Sequence, residues 1–443
     1  IELQARQSIA FNFGDSPNLA TIPRFSIFND GDVVLYGNNS VGVKTANNNL
    51  DLPYAKLILN NAIRINGDQS IGVELAKVMD DGYGNVTPNM YDPQRAVIKV
   101  TIGDEQNTPE GDSIGDAVAV EESIGLYVNN TSINYRLGEF EFKFGEYAKN
   151  STLINVNSGK LYLDDDKVSE VFIEEGQNNF GMIVNSGSAE LTLKPSIRIG
   201  TAGDNVDGTI ALYGGNGGKI YLDAANNIET NGEKSHGIIL TGTGTSLTDI
   251  TSSGSNHNFT ATGKESALMY AASGAMIDLS NSPVINMSAV GDESIGVYAN
   301  GGTVKLGLAG TGTGNYEIGT NGVLFYSDGA GTGRIETSGV NFTVGDGSLF
   351  TRITTPSTTP GNEQIKFTHT AGNTNLKLLS GGIGFVYTGD GVTPVTSGMI
   401  TSYFSNNYFG IGNMDVTVNP GARLYVIEKY ATMNLSAIGA ITA

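Results

Sequence analysis

The sequence predicts an all-β fold: a right-handed parallel β-helix, a solenoid in which one three-strand coil takes about 28 residues. Three observations carry this. A short phrase, clearest as DESIGVYANGGTVKL (residues 292–306), recurs along the chain. Glycine supplies 60 of the 443 residues, about twice the usual share of roughly 7%, so the chain turns often. Within the phrase, apolar and polar residues alternate with a period of two, the pattern of strands with one buried face.

The repeat can be aligned on its Ser or on the residue standing in for it. The anchors are Ser40, Ser70, Ser123, Ser151, Asn179, Thr209, Ser235, Ser266, Ser294 and Asn321, with spacings of 30, 53, 28, 28, 30, 26, 31, 28 and 27. The value of 53 is close to two periods, and RAVIKV (residues 95–100) is expected to fill it as a degenerate unit. A period in the 20–50 window signals a solenoid. The third residue after each anchor is aliphatic throughout: Val43, Val73, Leu126, Ile154, Met182, Leu212, Ile238, Met269, Val297 and Leu324. In the phrase itself, Ile295, Val297 and Ala299 are expected to point inward.

A second strand follows a glycine eight or nine residues past the anchor, as in Val304, Leu306 and Leu308. A third precedes the next anchor: IRIG (residues 197–200), NIET (227–230), NFTA (258–261) and INMSA (285–289). No coil can bury its own apolar face, so stability must come from stacking. The right hand follows from the crossover preference of parallel strands.

This organisation gives three regions. Residues 1–38 fit loosely, as a cap or irregular first coils. Residues 39–347 hold the regular repeats, with insertions at 79–95 and 103–122. Residues 348–443 keep alternating strands without the anchor phrase and are a divergent continuation.

Bulk properties exclude several functions. The net charge of −20 opposes nucleic acid as a partner, because phosphates would be repelled. With no cysteine there are no disulfides and no thiolate metal sites. His236, His257 and His369 are too widely spaced for a zinc motif. No cofactor or metal is expected. No apolar run is long enough for a membrane-spanning helix, and the first residues lack a signal-peptide pattern, so the chain reads as a mature protein or a fragment.

Catalytic signals have plainer readings. Asp164, Asp165 and Asp166 form an acidic triplet, expected in a solvated turn rather than along an exposed ladder. His236 resembles the His-Gly pair of polygalacturonases, yet it occupies a column filled by Ile124 and Ile295 elsewhere. GGNGGKIYL (residues 214–222) has Lys219 where the calcium-binding nonapeptide requires Asp. The chain is therefore not expected to be an enzyme.

Recognition is the remaining reading. In three successive coils the fourth column after the anchor reads Tyr270, Tyr298 and Phe325, expected to stack on an exposed sheet and hold a sugar or a protein loop. A ladder that only stabilises the sheet is the alternative. The insertion at residues 79–94 offers Tyr83, Met90 and Tyr91 as apolar anchors on a projecting loop.

The recurring G-[DE]-[EQ]-S-I-G-[VL]-Y phrase followed by GG-T-V, clearest from Gly291 to Val304, resembles the passenger domains of the large type V autotransporter adhesins of fusobacterial kind. The resemblance covers residues 39–330 well and the remainder weakly. It implies an extracellular, surface-exposed bacterial adhesin, a monomeric rod binding a host-cell surface protein or glycan, or a partner bacterial surface. Its link to the membrane would be a C-terminal barrel missing from this chain. Two alternatives share the fold: a β-helix polysaccharide lyase or glycoside hydrolase, and a structural stalk without its own ligand.

Overall fold

The computed structural model describes residues 2–4, 7–13, 26–29, 31–45, 56–59, 61–75, 97–105, 118–164, 168–201, 206–251, 254–328, 332–388, 397–411 and 414–428. The chain divides into two compact units, residues 1–235 with 244–246 and residues 236–243 with 247–443. Each is a parallel β-solenoid. Among the described residues no helix is long and apolar enough to cross a membrane.

In the first unit, the strands that follow the anchors pair in parallel, each with its equivalent one coil on. The series runs Ile9–Phe13, Val41–Thr45, Ile71–Leu75, Ile124–Leu137, Thr152–Leu163, Phe180–Val184 and Ile210–Gly214. Pairing is thus present within the first 38 residues, where Glu2 faces Val34 and Ile9 faces Val41. The second strand is fused to the first in Thr152–Leu163, whose end pairs with Ala189–Leu193 and through it with Lys219–Leu222. The third series includes Glu170–Ile173, Ser196–Ile199 and Asn227–Thr230.

One sequence expectation is corrected here. Ile71 lies directly opposite Ile124, so the 53-residue interval is a single coil carrying insertions, not two coils. The segment assigned to a degenerate unit forms the strand Val97–Ile102. It is the third strand of that same coil, pairing with Lys56–Leu59 and Ile63–Ile65 on one side and with Glu139–Phe144 on the other. Residues can be added between two strands without adding a rung, because the closure cost of a connection grows only slowly with its length.

The second unit repeats the scheme. Its first series is His236–Thr241, Ala267–Ala272, Ile295–Asn300, Val323–Asp328, Leu349–Ile353, Ile383–Thr388 and Arg423–Glu428. The second is Met276–Leu279, Thr303–Leu306, Arg334–Thr337, Ile365–Phe367 and Tyr408–Phe409. The third is Asn256–Ala261, Val284–Ala289, Asn315–Ile318, Asn341–Val344, Thr374–Leu378 and Met414–Val418. Along this third series Asn258, Asn286, Asn315, Asn341 and Asn375 occupy one outward column. Their side-chain amides link rung to rung, as in Asn286 to Asn258 (2.9 Å), Asn341 to Asn315 (2.8 Å) and Asn375 to Asn341 (2.9 Å).

The sequence did not foretell the helix Ser397–Asn407. Its Ser, Thr, Tyr and Asn residues are weak helix formers, so tertiary contacts must hold it. Two such contacts are present: the Tyr403 hydroxyl donates to the Val386 carbonyl (2.9 Å), and the Asn407 side chain caps Ser357 through both its backbone groups (2.7 and 3.2 Å).

The anchor residue has a defined task. Its side-chain oxygen accepts the backbone N–H of the preceding coil's anchor, as in Ser40 to Ser70 (3.0 Å), Ser70 to Ser123 (3.1 Å), Ser123 to Ser151 (3.1 Å) and Ser266 to Ser294 (3.3 Å). Its hydroxyl also donates to a turn carbonyl of the preceding coil, as in Ser123 to Gly67 (3.0 Å) and Ser294 to Gly263 (3.0 Å). These hydroxyls are buried, so each must be satisfied, and each is satisfied by its neighbour. Asn179 and Thr209 can stand in because each supplies an acceptor oxygen at the same place.

The residue before the anchor is left-handed: Asn39, Gln69, Glu122, Asn150, Asn178, Lys234, Glu265, Glu293 and Asn321 all have φ between 51° and 59°. In four described coils glycine takes this place, at Gly208, Gly347, Gly381 and Gly421. The chain reverses there with a conformation that costs an L-residue about 1 kcal/mol or more, held by the clamp that follows.

That column also corrects the alignment at its last anchor. Asn321 has φ 55°, so it is the pre-anchor residue, and Gly322 is the anchor, its N–H donating to Ser348 Oγ (2.9 Å). Val323 pairs with Ile295 and Phe325 with Val297. A one-residue slip exchanges the two faces of a strand. The inward column holds Phe325 (0% exposed) rather than Leu324, and the outward column holds Tyr326 rather than Phe325.

The core itself is shifted by one position at the strand start. Ile295 is only partly buried, whereas Gly296, Val297 and Ala299 face in. A Cβ on Gly296 would lie 2.7 Å from the Leu324 carbonyl oxygen and 2.9 Å from its Cδ1. The buried Leu324 side chain fills the room that glycine leaves. Beyond this coil the aliphatic core becomes aromatic: Phe325, Phe342, Phe350 and Phe367 meet with centroids 5.1–6.3 Å apart.

Candidate functional site

The fourth column after the anchor builds a row of side chains on the outer face of the second unit. Strand pairing sets Tyr270 beside Tyr298, Tyr298 beside Tyr326, and Tyr326 beside Arg352. Successive parallel strands lie about 4.8 Å apart, which suits ring stacking. Tyr298 and Tyr326 are stacked, 4.4 Å between centroids and 7° from parallel. Tyr270 meets Tyr298 at 5.0 Å and 54°. The Arg352 guanidinium carbon sits 5.9 Å from the Tyr326 centroid, a cation–π arrangement.

This geometry decides what the row can offer. The face of Tyr326 turned to one side is covered by Tyr298 and that on the other by Arg352. Tyr298 is covered by Tyr326 and Tyr270. What remains for solvent is the ring edges and their hydroxyls, so flat stacking of a sugar on an open aromatic face is not available at the middle of the row. The polar edge is well furnished. Asn300 Nδ2 donates to Tyr270 Oη (3.3 Å), and Thr354 Oγ1 donates to Tyr326 Oη (2.8 Å). Thr355 Oγ1 donates to Asp328 Oδ1 (3.1 Å). Burial pushes the Tyr298 phenol up to about 12, and Tyr326, Asp328 and Tyr270 add to the shift. Tyr298 therefore stays protonated and can donate a hydrogen bond throughout the neutral range.

Of the residues singled out in the sequence, Tyr270 and Tyr298 lie in this row. Phe325 does not: it is in the core, in contact with Phe342 and Phe350. Tyr83, Met90 and Tyr91 lie outside the described residues. Tyr326 and Arg352 were missed. A signal for the first existed, since Tyr270, Tyr298 and Tyr326 recur at intervals of 28 and 28. Alignment on tyrosine rather than on the anchor finds it.

Of the catalytic candidates, Asp164 departs from the expectation and His236 keeps the column it was given, opposite Ala267 and in line with Ile295. Asp165 and Asp166 lie outside the described residues. Asp164 is not in a solvated turn: its side chain is 0% exposed and paired with Arg136 and with Lys194 (3.3 Å). Burial opposes its ionisation, but the two cations outweigh this and hold the carboxyl below its ordinary value. Arg136 also lies 4.6 Å over the Tyr162 ring, and Tyr162 donates to Asp223 (2.5 Å). Every group of this cluster is engaged within the fold. His236 sits in the partly buried first column, its Nδ1 accepting the Ala267 N–H (3.0 Å).

A second group has the composition of a hydrolase triad but not its geometry. Ser282 Oγ donates to Asp249 Oδ2 (2.7 Å), and His257 Nε2 meets the same oxygen (3.3 Å). In a triad the imidazole stands between serine and carboxylate; here the carboxylate stands between the other two. Asp249 and His257 side chains are both 0% exposed. The group fastens the Thr251 turn, where Asp249 Oδ1 accepts both Thr251 N–H (3.0 Å) and Oγ1–H (2.7 Å).

In the first unit an open cleft of about 550 Å³ is lined by Glu146, Phe172, Glu174, Glu175, Gly176, Gln177 and Thr201. Its ionisable lining is wholly acidic, and the Phe172 ring is covered by the Arg198 guanidinium at 3.9 Å.

Comparison with protein-family models, with curated proteins and with solved structures returned no match to this chain.

Proposed function

We propose that this chain is an adhesive segment of a bacterial surface protein, of the type V autotransporter passenger kind, that binds a host-cell glycan or glycoprotein, or another bacterial surface. The observation that carries the reading is the tyrosine row Tyr270–Tyr298–Tyr326, ordered on an outward sheet face and ending in an exposed arginine. Repeated aromatic hydroxyls on a rigid scaffold are suited to polar recognition, because little conformational entropy is lost when a ligand docks. The recurring SIG[VL]Y phrase supports the autotransporter part, and the solenoid architecture is compatible with it. The acid and histidine clusters support a non-enzymatic reading, since each is committed to holding a turn or a strand.

The test is saturable binding of the whole chain to host cells and to a glycan array. Tyr298→Ala together with Tyr326→Ala is expected to lower binding at least tenfold while the far-UV circular dichroism stays unchanged. Retention of full binding by the double variant would remove the row from the function. Absence of any saturable binding by the parent chain would favour the stalk reading.

A further inference from the structure

The end of the tyrosine row differs from its middle. Arg352 is exposed and makes no ion pair among the described residues. Arg64, Arg136 and Arg198, by contrast, are paired with Asp104, Asp164 and Glu170. Arg423 likewise has no carboxylate partner among the described residues, but of the two only Arg352 stands over the tyrosine row. Its only described contact is the ring of Tyr326, which orients the planar fork without using its N–H donors. The hydroxyl of that same ring, Tyr326 Oη, accepts a hydrogen bond from Thr354 Oγ1 (2.8 Å). Asp328 lies two residues past Tyr326 on the same strand, its carboxylate accepting the Thr355 hydroxyl (3.1 Å).

We propose that this end of the row recognises a saccharide terminated by a single carboxylate, a sialate or uronate, with Arg352 holding the carboxylate and the phenol and threonine hydroxyls holding the sugar hydroxyls. The inference rests on the adhesive reading and sharpens it. Guanidinium and carboxylate match as two parallel charge-assisted hydrogen bonds. The neighbouring Asp328 carboxylate suits a ligand that also carries hydroxyl or amide donors. It disfavours a densely charged polyanion, which the net charge of −20 would also repel.

Binding of the whole chain is measured to oligosaccharides ending in a sialate or a uronate, and to the same oligosaccharides after carboxyl reduction to the alcohol. A polyglutamate peptide and a sulfated polysaccharide serve as the other occupants. The carboxylate forms are expected to bind about tenfold more tightly than the reduced forms. Arg352→Gln should abolish that preference, while Arg352→Lys should keep part of it and weaken its geometry. An unchanged melting curve for Arg352→Gln assigns the loss to recognition. Equal binding of acid and reduced forms would overturn the inference while leaving the adhesive reading in place. Tighter binding of the peptide or the sulfated polymer would overturn it in favour of that occupant. No binding of any of the four would overturn the inference, and the cell-binding experiment then judges the broader reading by itself.

Discussion

Tyr298 and Tyr326 lie face to face, 4.4 Å apart and 7° from parallel, on adjacent rungs of one parallel sheet. Each ring spends its face on the other, so the pair meets solvent through hydroxyl-bearing edges. If recognition runs through those edges, Tyr298→Phe should weaken ligand binding by about three- to tenfold, the worth of one neutral hydrogen bond. Isothermal titration with the tightest glycan of the array measures it. A Tyr298→Phe variant that binds as the parent does would remove the Tyr298 hydroxyl from recognition.

The register of that coil gives a stability prediction. Phe325 is in the aromatic core and Tyr326 is outside it. Phe325→Ala should cost about 3–5 kcal/mol, the usual loss for a large core aromatic, whereas Tyr326→Ala should cost about 1 kcal/mol, chiefly its ring pairing. Urea midpoints of the two variants should differ plainly. Equal midpoints, or the reverse order, would restore the alignment on Asn321.

The anchor clamp can be tested locally. Ser123 accepts the Ser70 N–H (3.1 Å) and donates to the Gly67 carbonyl (3.0 Å). Ser123→Ala leaves two buried backbone groups without that partner, a loss of about 1–3 kcal/mol. Ser123→Thr should be far milder, since Thr209 occupies the equivalent place. Because repeat arrays open coil by coil, amide exchange at Ser70 is the sharper readout. It should accelerate in Ser123→Ala more than in Ser123→Thr.

His236 makes the second unit sensitive to acid. Burial lowers its pKa below the ordinary 6.5, and its Nδ1 must stay unprotonated to accept the Ala267 N–H. A depressed pKa contributes stability above the unfolded value, which is lost as pH falls through the folded one. Stability should therefore decline as pH drops below about 6.5, before the carboxylates titrate. His236→Gln, which cannot charge, should flatten this limb in melting curves taken from pH 7 to pH 5. A limb of the same slope in the variant would place the sensitivity elsewhere.

Much of the architecture was legible because it is periodic. The aliphatic third column, Val43 through Met269 and Val297, is buried wherever it is described. NIET was expected as a strand over residues 227–230 and forms one over Asn227–Thr230. The anchor serine was legible as a position but not as a device. Its meaning is a hydrogen bond to a residue some 28 positions away, which composition does not display. The outer face was read only in part. Tyr270 and Tyr298 follow from the phrase, but the third member of the row was displaced by one residue, because asparagine stands in for the anchor at position 179 and so seemed to do so at position 321. Arg352 was within reach as well: it is the fourth residue after Ser348, whose setting GDGS (residues 345–348) echoes GDES (residues 291–294), but that anchor was not included in the alignment.

By itself, then, the sequence determined the coil: a repeat of apolar residues at a spacing of about 28, which can bury its surface only by stacking on copies of itself. What the tertiary structure alone decided was registration. Backbone pairing showed that Ile71 meets Ile124 across a 53-residue interval, and that Gly322 rather than Asn321 holds the anchor place. The physical reason is that side chains on a strand alternate with a period of two, while loops change length without changing the rung. Composition can therefore count coils approximately, but only the pairing partner says which face a given tyrosine is on.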